Sequence, residues 1–305
     1  MPGLVVIGIP AHNNERHLEE AVGSLLAQTY ARTAIVAYDD GSSDDTPALL
    51  RRWADDGLIA FERGETPLGL VGGWRRAYAL AVARHPDAEY FAWGSDHDVW
   101  EPDWAESLVD ALESTPGSVL AYPLVDAIGD EGEQVKRRQR RFDTSAMAAP
   151  GDRLRALAHA RRAGDVIYGL MRMDALRECG EFPSAIRPDR LLLARLAVEG
   201  SFVQVPRVLW HRRYREGVVP TISRQRRTLW SGGTPPSSRL PWRMQHALWL
   251  LDSLKSESRR VELIRVYVRE SRRAAAEQRA EIRERKWRWR RKRARARIAS
   301  LRRRR

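Results

Sequence analysis

The chain alternates short apolar runs with segments whose apolar positions recur every three or four residues. Residues 4–10, Leu-Val-Val-Ile-Gly-Ile-Pro, form a β-branched run stopped by Pro10, the pattern of a buried parallel strand. Helical spacing follows at Leu18, Ala21, Val22, Leu25 and Leu26, and residues 34–38 read as a second strand closing on the turn-forming Asp39-Asp40-Gly41-Ser42. The same rhythm predicts a helix over 46–54, a strand over 58–61, a helix over 72–84 and a strand over 90–93 that runs into Gly94-Ser95-Asp96-His97-Asp98. Strands alternating with helices predict an α/β fold with a doubly wound, mostly parallel sheet, whose ligands bind at the carboxyl ends of the strands. Asp39-Asp40 and Asp96-His97-Asp98 both fall there.

Beyond Asp103 the pattern loosens. It predicts a helix to about 113, a strand over 119–124, a mobile polar loop over 129–151, a helix over 153–162, a strand over 166–173, a helix over 190–199 and a last strand over 202–210 interrupted by Pro206. Glycines and prolines between 215 and 241 mark a linker. The 64 residues after Pro241 contain neither, and read as one or two long helices ending in a basic tail. The expected organisation is a catalytic-type α/β domain over 1–214, a linker over 215–241 and a helical basic extension over 242–305.

Composition narrows the class. With 43% hydrophobic and 30% charged residues the chain is globular, and a single cysteine, Cys179, excludes a disulfide scaffold and a multi-cysteine metal site. No apolar run approaches the roughly 18 residues of a spanning helix, and no basic leader precedes the first strand, so the chain is expected in the cytoplasm. The net charge of +13 is localised: residues 269–305 hold eighteen Lys and Arg against four Asp and Glu, which leaves 35 basic and 36 acidic residues in the rest. Only four of the 53 bases are lysines, so arginine richness alone carries little weight.

Two carboxylates one residue apart at a strand end suit a divalent cation with oxygen ligands, the remaining positions going to phosphates. Asp96-His97-Asp98 has that form, although a solvated acidic turn has it too. Asp39 and Asp40 likewise suit an ordinary turn ahead of a helix.

The order of segments resembles family 2 of the inverting glycosyltransferases, with the GT-A fold. The likeness rests on Ile9-Pro10-Ala11-His12-Asn13-Asn14-Glu15 with Leu26-Ala27-Gln28-Thr29, on Asp39-Asp40-Gly41-Ser42-Ser43-Asp44-Asp45-Thr46, on Gly72-Gly73-Trp74 and on Asp96-His97-Asp98. The resemblance implies that Pro10, His12, Glu15 and Asp40 border the nucleotide, with Asp40 accepting a hydrogen bond from the base. It implies that Asp96 and Asp98 hold Mg²⁺ or Mn²⁺ on the sugar diphosphate. Downstream, Arg187-Pro188-Asp189 with Arg195 and Glu199-Gly200, and Leu209-Trp210-His211, resemble the galactofuranosyl- and rhamnosyltransferase-like branch. That likeness makes Asp189 the catalytic base and His211 a third metal ligand. Asp189 equally suits a helix N-cap behind Pro188, and His211 a strand-end histidine stacked on Trp210. Arg75 replaces an asparagine common in the family, and Pro188 an acidic residue.

Breaking a sugar phosphate bond requires charge neutralisation on the departing diphosphate, and the attacking hydroxyl needs a carboxylate base. The reading is therefore a metal-dependent inverting transferase, with UDP- or dTDP-sugar as donor and a surface glycan or lipid-linked molecule as acceptor. A nucleotidyltransferase would want a glycine-rich phosphate loop where this chain has Pro10-Ala11-His12-Asn13-Asn14. A nucleic-acid-binding protein would want a basic groove around the core, which the near-neutral body lacks. The basic tail, with Trp287 and Trp289 among arginines, suits the anionic inner face of a cell membrane. A solvated run with no partner fits the same residues, and nucleic acid fits them less well.

Overall fold

A computed structural model of the chain describes residues 3–136, 141–160, 163–214, 229 and 240–302. The first half follows the expected alternation: β1 (Val5–Ala11), α1 (Glu15–Leu26), β2 (Thr33–Asp39), α2 (Thr46–Asp55), β3 (Ala60–Arg63), α3 (Gly69–Arg84) and β4 (Tyr90–Trp93). Then come β5 (Val99–Trp100), α4 (Trp104–Glu113), β6 (Ser118–Ile128), β7 (Gln134–Val135) and α5 (Pro150–His159). A 3-10 turn (Ala163–Tyr168), β8 (Leu170–Arg172), α6 (Met173–Cys179), α7 (Pro188–Glu199) and β9 (Ser201–Arg213) complete the α/β body. Two helices follow, α8 (Trp242–Ser253) and α9 (Arg260–Arg302).

The described strands form one sheet in the order β3-β2-β1-β4-β8-β6-β9-β5, with β7 beside β6. Pairings among β1 to β4 are parallel, as is β6 with β9, whereas β8 runs antiparallel between β4 and β6. The alternation along β1 feeds two apolar layers. Val5, Ile7 and Ile9 face Leu18, Val22 and Leu25 of α1, and Val6 faces the layer containing Trp74, Trp93 and α7. Leu191 to Val198 are buried throughout, which explains why α7 shows little amphipathic pattern.

Three expectations change. The segment 166–173 is not one strand, because Gly169 packs against β6 so closely that a Cβ there would lie 2.4 Å from the Ala121 carbonyl oxygen. It turns the chain from the 3-10 helix into β8. The last strand passes through Pro206: its partners step from Pro123↔Val205 to Leu124↔Val208, so Pro206 and Arg207 bulge out where the missing N–H costs no ladder bond. The stretch 129–151, expected to be mobile, is tied down where it is described. Gly129 N–H donates to the Glu133 carbonyl, and Thr144 exchanges bonds with Phe202, N–H to carbonyl at 2.9 Å and N–H to Oγ1 at 2.8 Å.

The expected linker lies outside the described residues apart from Leu229, Leu240 and Pro241. The helices after it pack on the body: Leu250, Leu254, Leu263 and Tyr267 are buried in the α7 layer, and α9 runs along α5 and α8. Among the described residues no helix is long and apolar enough to cross a membrane.

Candidate active site

The carboxyl ends of β1, β2 and β4 open onto a cleft of about 410 Å³. Pro10 and His12 line it from the first strand end, Asp40 from the second, Gly73 and Trp74 from α3, Asp96 and His97 from the turn after β4, and Tyr168 from the 3-10 helix. Its volume falls in the range of small-molecule sites.

The two strand-end turns are locked to each other. Asn13, at φ 48°, takes the Ser43 N–H on Oδ1 at 2.8 Å and gives its own N–H to Ser42 Oγ at 2.9 Å. Asn14 N–H donates to Thr46 Oγ1 at 2.9 Å. Asp39 is fully buried, capping Ser42 N–H and pairing with Arg63 Nε at 3.2 Å. Asp40 then reaches forward, its two oxygens accepting the Leu68 and Gly69 N–H at 2.7 and 2.9 Å. Burial pushes its pKa up, and the two backbone donors pull it back. Both oxygens thus hold the start of α3, with lone pairs left for a ligand on the cleft side. His12 Nδ1–H donates to the Asp40 carbonyl at 2.8 Å, which turns the ring edge toward the cleft.

Glu15 is placed elsewhere. Its carboxylate accepts the Asp45 N–H at 2.8 Å, while its own N–H donates to Asp44, so it fastens α1 to the start of α2 and does not line the cleft.

The three residues expected around a cation are separated in role. Asp96 lines the cleft, with Oδ2 accepting the His12 N–H at 3.1 Å and Oδ1 facing His97 Nδ1 at 2.6 Å. Asp98 is buried, Oδ1 accepting the Arg213 N–H at 2.8 Å and Oδ2 the Trp210 Nε1–H at 3.1 Å. Burial raises its pKa, opposed by His97, Arg212 and those two donors. His211 sits beside Val99 in the β5–β9 pair, and its Nε2 meets Glu101 Oε1 at 2.7 Å. This hydrogen bond to Glu101 stands in place of the alternative stacking on Trp210. Among the described residues no group of three His, Cys, Asp or Glu is arranged to hold a metal ion. A carboxylate facing a cleft suits an Mg²⁺ or Mn²⁺ ion that takes its other ligands from phosphates and water, so Asp96 alone fits as a direct ligand in this arrangement.

Asp189 is the second residue of α7, behind Pro188, so the helix starts two residues earlier than the periodicity predicts and Arg187 takes the cap position. Arg187 adopts a left-handed backbone, φ 59° and ψ 57°, without a capping side chain. Burial raises the Asp189 pKa, while the Arg190 N–H and the guanidinium groups of Arg190, Arg187 and Arg212 stabilise the carboxylate.

Tyr168 was not singled out by the sequence, yet it connects these groups. Its hydroxyl feels Asp96, Asp98, Asp189 and Arg212, and burial with three carboxylates nearby raises its pKa, so it is a neutral hydrogen-bond donor. Arg212 pairs with Asp165 and lies over the Tyr168, Trp210 and Tyr214 rings. Arg213 is buried and gives its Nε–H to the His97 carbonyl at 2.9 Å and its Nη1–H to the Gly129 carbonyl at 3.0 Å, bracing the Asp96–Asp98 turn. Tyr168 precedes the turn-making Gly169, the one local sign by which it could have been found, whereas the two arginines are lost in an arginine-rich composition.

A mostly parallel sheet, a cleft at its carboxyl edge and an acidic turn after β4 together have the form of the GT-A fold. Residues 6–180 match Glycosyl transferase family 2, and the chain belongs to that family. It is similar to an uncharacterized glycosyltransferase of Rickettsia prowazekii, 28% identical over 127 residues, covering 40% of this chain and 37% of that protein. Another, from Haemophilus influenzae, is 27% identical over 139 residues, 44% of this chain and 42% of that protein. The matched segments thus span less than half of these relatives. In structure it resembles residues 1–349 of S. aureus TarS in complex with UDP-GlcNAc, with a TM-score of 0.62 at 15% identity, over 88% of this chain and 72% of that one. GalNAc-T7 with UDP, GalNAc and Mn²⁺ gives 0.51 at 17% identity, over 70% and 45%. At these identities the likeness shows the fold.

Proposed function

We propose that this glycosyltransferase moves a sugar from a nucleoside diphosphate sugar, UDP- or dTDP-linked, to a hydroxyl of a surface glycan or lipid-linked acceptor, with inversion and dependence on a divalent cation. The carrying observation is the 410 Å³ cleft whose wall holds Asp40 and Asp96 and whose Tyr168 lies in the field of Asp189. Pro10, His12 and Asp40 receive the nucleotide. Asp96 would hold Mg²⁺ or Mn²⁺, which supplies Lewis-acid neutralisation of the diphosphate. Asp98, anchored by Trp210 and Arg213, fixes the turn that carries Asp96, and Tyr168 donates a hydrogen bond toward the diphosphate. Asp189 takes the proton of the acceptor hydroxyl as its oxygen bonds the anomeric carbon. The bond from that carbon to the phosphate oxygen breaks with its electron pair leaving on the diphosphate. Attack from the face opposite the leaving group inverts the anomeric centre. The likeness of 187–189 to the galactofuranosyl- and rhamnosyltransferase branch supports Asp189 as the base.

Calorimetry with UDP, dTDP and GDP, each with and without Mn²⁺, tests the reading. We expect a uridine or thymidine diphosphate to bind more tightly with Mn²⁺, and Asp96→Ala to remove the Mn²⁺-dependent part. An Mn²⁺-dependent gain in Asp96→Ala equal to that of wild type, or no such gain in wild type, would overturn it.

The tail favours a membrane-peripheral location. Trp287 and Trp289 are 55% and 57% exposed on α9 amid Lys and Arg, and an anionic bilayer attracts that combination. The cytoplasmic face of a cell membrane presents such a surface.

A further inference from the structure

A second cavity, of about 470 Å³, lies between α5, the start of α7, α8 and α9. Arg187 and Arg190, which flank Asp189, line it together with Trp242, Arg243 and His159. The Trp242 ring is held between two guanidinium groups, Arg187 at 5.1 Å and Arg243 at 4.3 Å from its centroid. Among the described residues none of the three arginines forms an ion pair. Arg190 spends its donors on the Leu157 and Ala158 carbonyls, and Arg243 gives one N–H to the Ser271 carbonyl at 3.1 Å while its buried Nε finds no acceptor. Two glutamates stand on the α9 wall: Glu277 pairs with Arg273 at 3.2 Å and meets His159 Nδ1 at 3.3 Å, and Glu281 is exposed. Burial and neighbouring guanidinium groups lower the pKa of both Arg187 and Arg243, offset in part at Arg187 by Asp189.

The arrangement is also braced. Gln245 Oε1 accepts the Ile186 N–H at 3.1 Å, and His246 Nε2–H donates to the Ile186 carbonyl at 2.7 Å, fixing the residue before the left-handed Arg187. Strain held at a non-glycine residue, with its side chain aimed into a cavity, is the pattern of a ligand-binding position. Guanidinium groups with no carboxylate in ion-pair contact that share an aromatic face suit a phosphate.

We propose that this cavity is the subsite for a phosphate group carried by the acceptor, held by the arginines that flank Asp189. The inference rests on the proposed transferase function and narrows its acceptor to a phosphorylated molecule, either a prenyl-linked diphosphate or a sugar phosphate.

The test is calorimetric titration of the full chain with farnesyl diphosphate and with glucose 1-phosphate, both in saturating UDP and Mn²⁺ so that the donor cleft is filled. We expect at least one of them to bind, Arg243→Gln to weaken it about tenfold or more, and UDP affinity to stay within twofold of wild type. Gln278→Glu, an exposed substitution that adds a negative charge to the same wall without removing packing, should weaken the phosphate likewise and serves if Arg243→Gln does not fold. Binding of farnesyl diphosphate alone assigns a lipid-linked phosphate, and binding of both assigns the phosphate whatever carries it. No binding of either probe, or equal affinity in the variants, overturns the proposal. Failure of UDP to bind would overturn the donor-cleft reading instead, and the difference between wild type and Arg243→Gln would still report on this cavity.

Discussion

His246 offers a quantitative check on how the C-terminal helices serve the base-bearing segment. It is fully buried in α8, with Nδ1 at 2.8 Å from the Tyr267 hydroxyl and Nε2 at 2.7 Å from the Ile186 carbonyl, three residues before Asp189. Burial, aided by Arg190, Arg187 and Arg243, lowers its pKa from 6.5 to about 4, so the folded chain keeps it neutral. An unfolded chain protonates it below pH 6.5, while the folded one resists until near pH 4. In that interval the unfolded state binds more protons, so the stability from His246 is complete above the higher value and is lost as the pH falls through the lower. The difference between those two values corresponds to about 3 kcal/mol, at about 1.4 kcal/mol per unit. His246→Gln keeps a polar side chain and removes the titration. Urea denaturation of wild type and His246→Gln at steps from pH 7.5 to 4 should give a difference curve that is flat at the top and declines by that amount toward acid. Subtraction cancels the carboxylates common to both. Parallel curves would refute the reasoning and mean that His246 titrates alike in both states.

Asp189→Asn should leave UDP affinity unchanged and reduce transfer by two to four orders of magnitude, since an amide cannot take the proton; transfer within threefold of wild type would remove Asp189 as base. Because burial raises its pKa and only the carboxylate is active, wild-type kcat/KM should fall on acidification through a value above the ordinary 3.8, read from a pH–rate profile whose limb lies higher than a solvated aspartate would give. Ending the chain after Glu284 removes thirteen Lys and Arg while sparing the packing of Leu250, Leu254, Leu263 and Tyr267. Each cation near anionic headgroups contributes about 1 kcal/mol, so the full chain should sediment with vesicles containing anionic lipid and be released by high salt, and the shortened chain should stay in the supernatant. Equal sedimentation of the two would remove the electrostatic anchor.

The sequence alone determined the first half of the fold and one wall of the site. Local periodicity and turn chemistry act over a few residues, so the 4–10, 34–38 and 90–93 runs fixed β1, β2 and β4, and the polar triplets after them fell at the sheet's carboxyl edge without knowledge of any distant contact. Asp40 and Asp96 were legible for that reason. Tertiary structure decided the rest. The strand β5 has two residues and exists because β9 pairs with it, which carries His211 to Glu101 and away from a cation shared with Asp96. Asp98 became a buried brace because Trp210 and Arg213, more than a hundred residues away in the chain, turn their N–H groups onto it. Tyr168 depends on the 3-10 helix packing on α7, and the arginine-lined cavity on α5, α7, α8 and α9 meeting, and no pattern within a window of a dozen residues encodes such meetings. Asp189 stands between the two: its helix was readable from spacing, and the charges that set its protonation were supplied by the packed neighbours Arg187, Arg190 and Arg212.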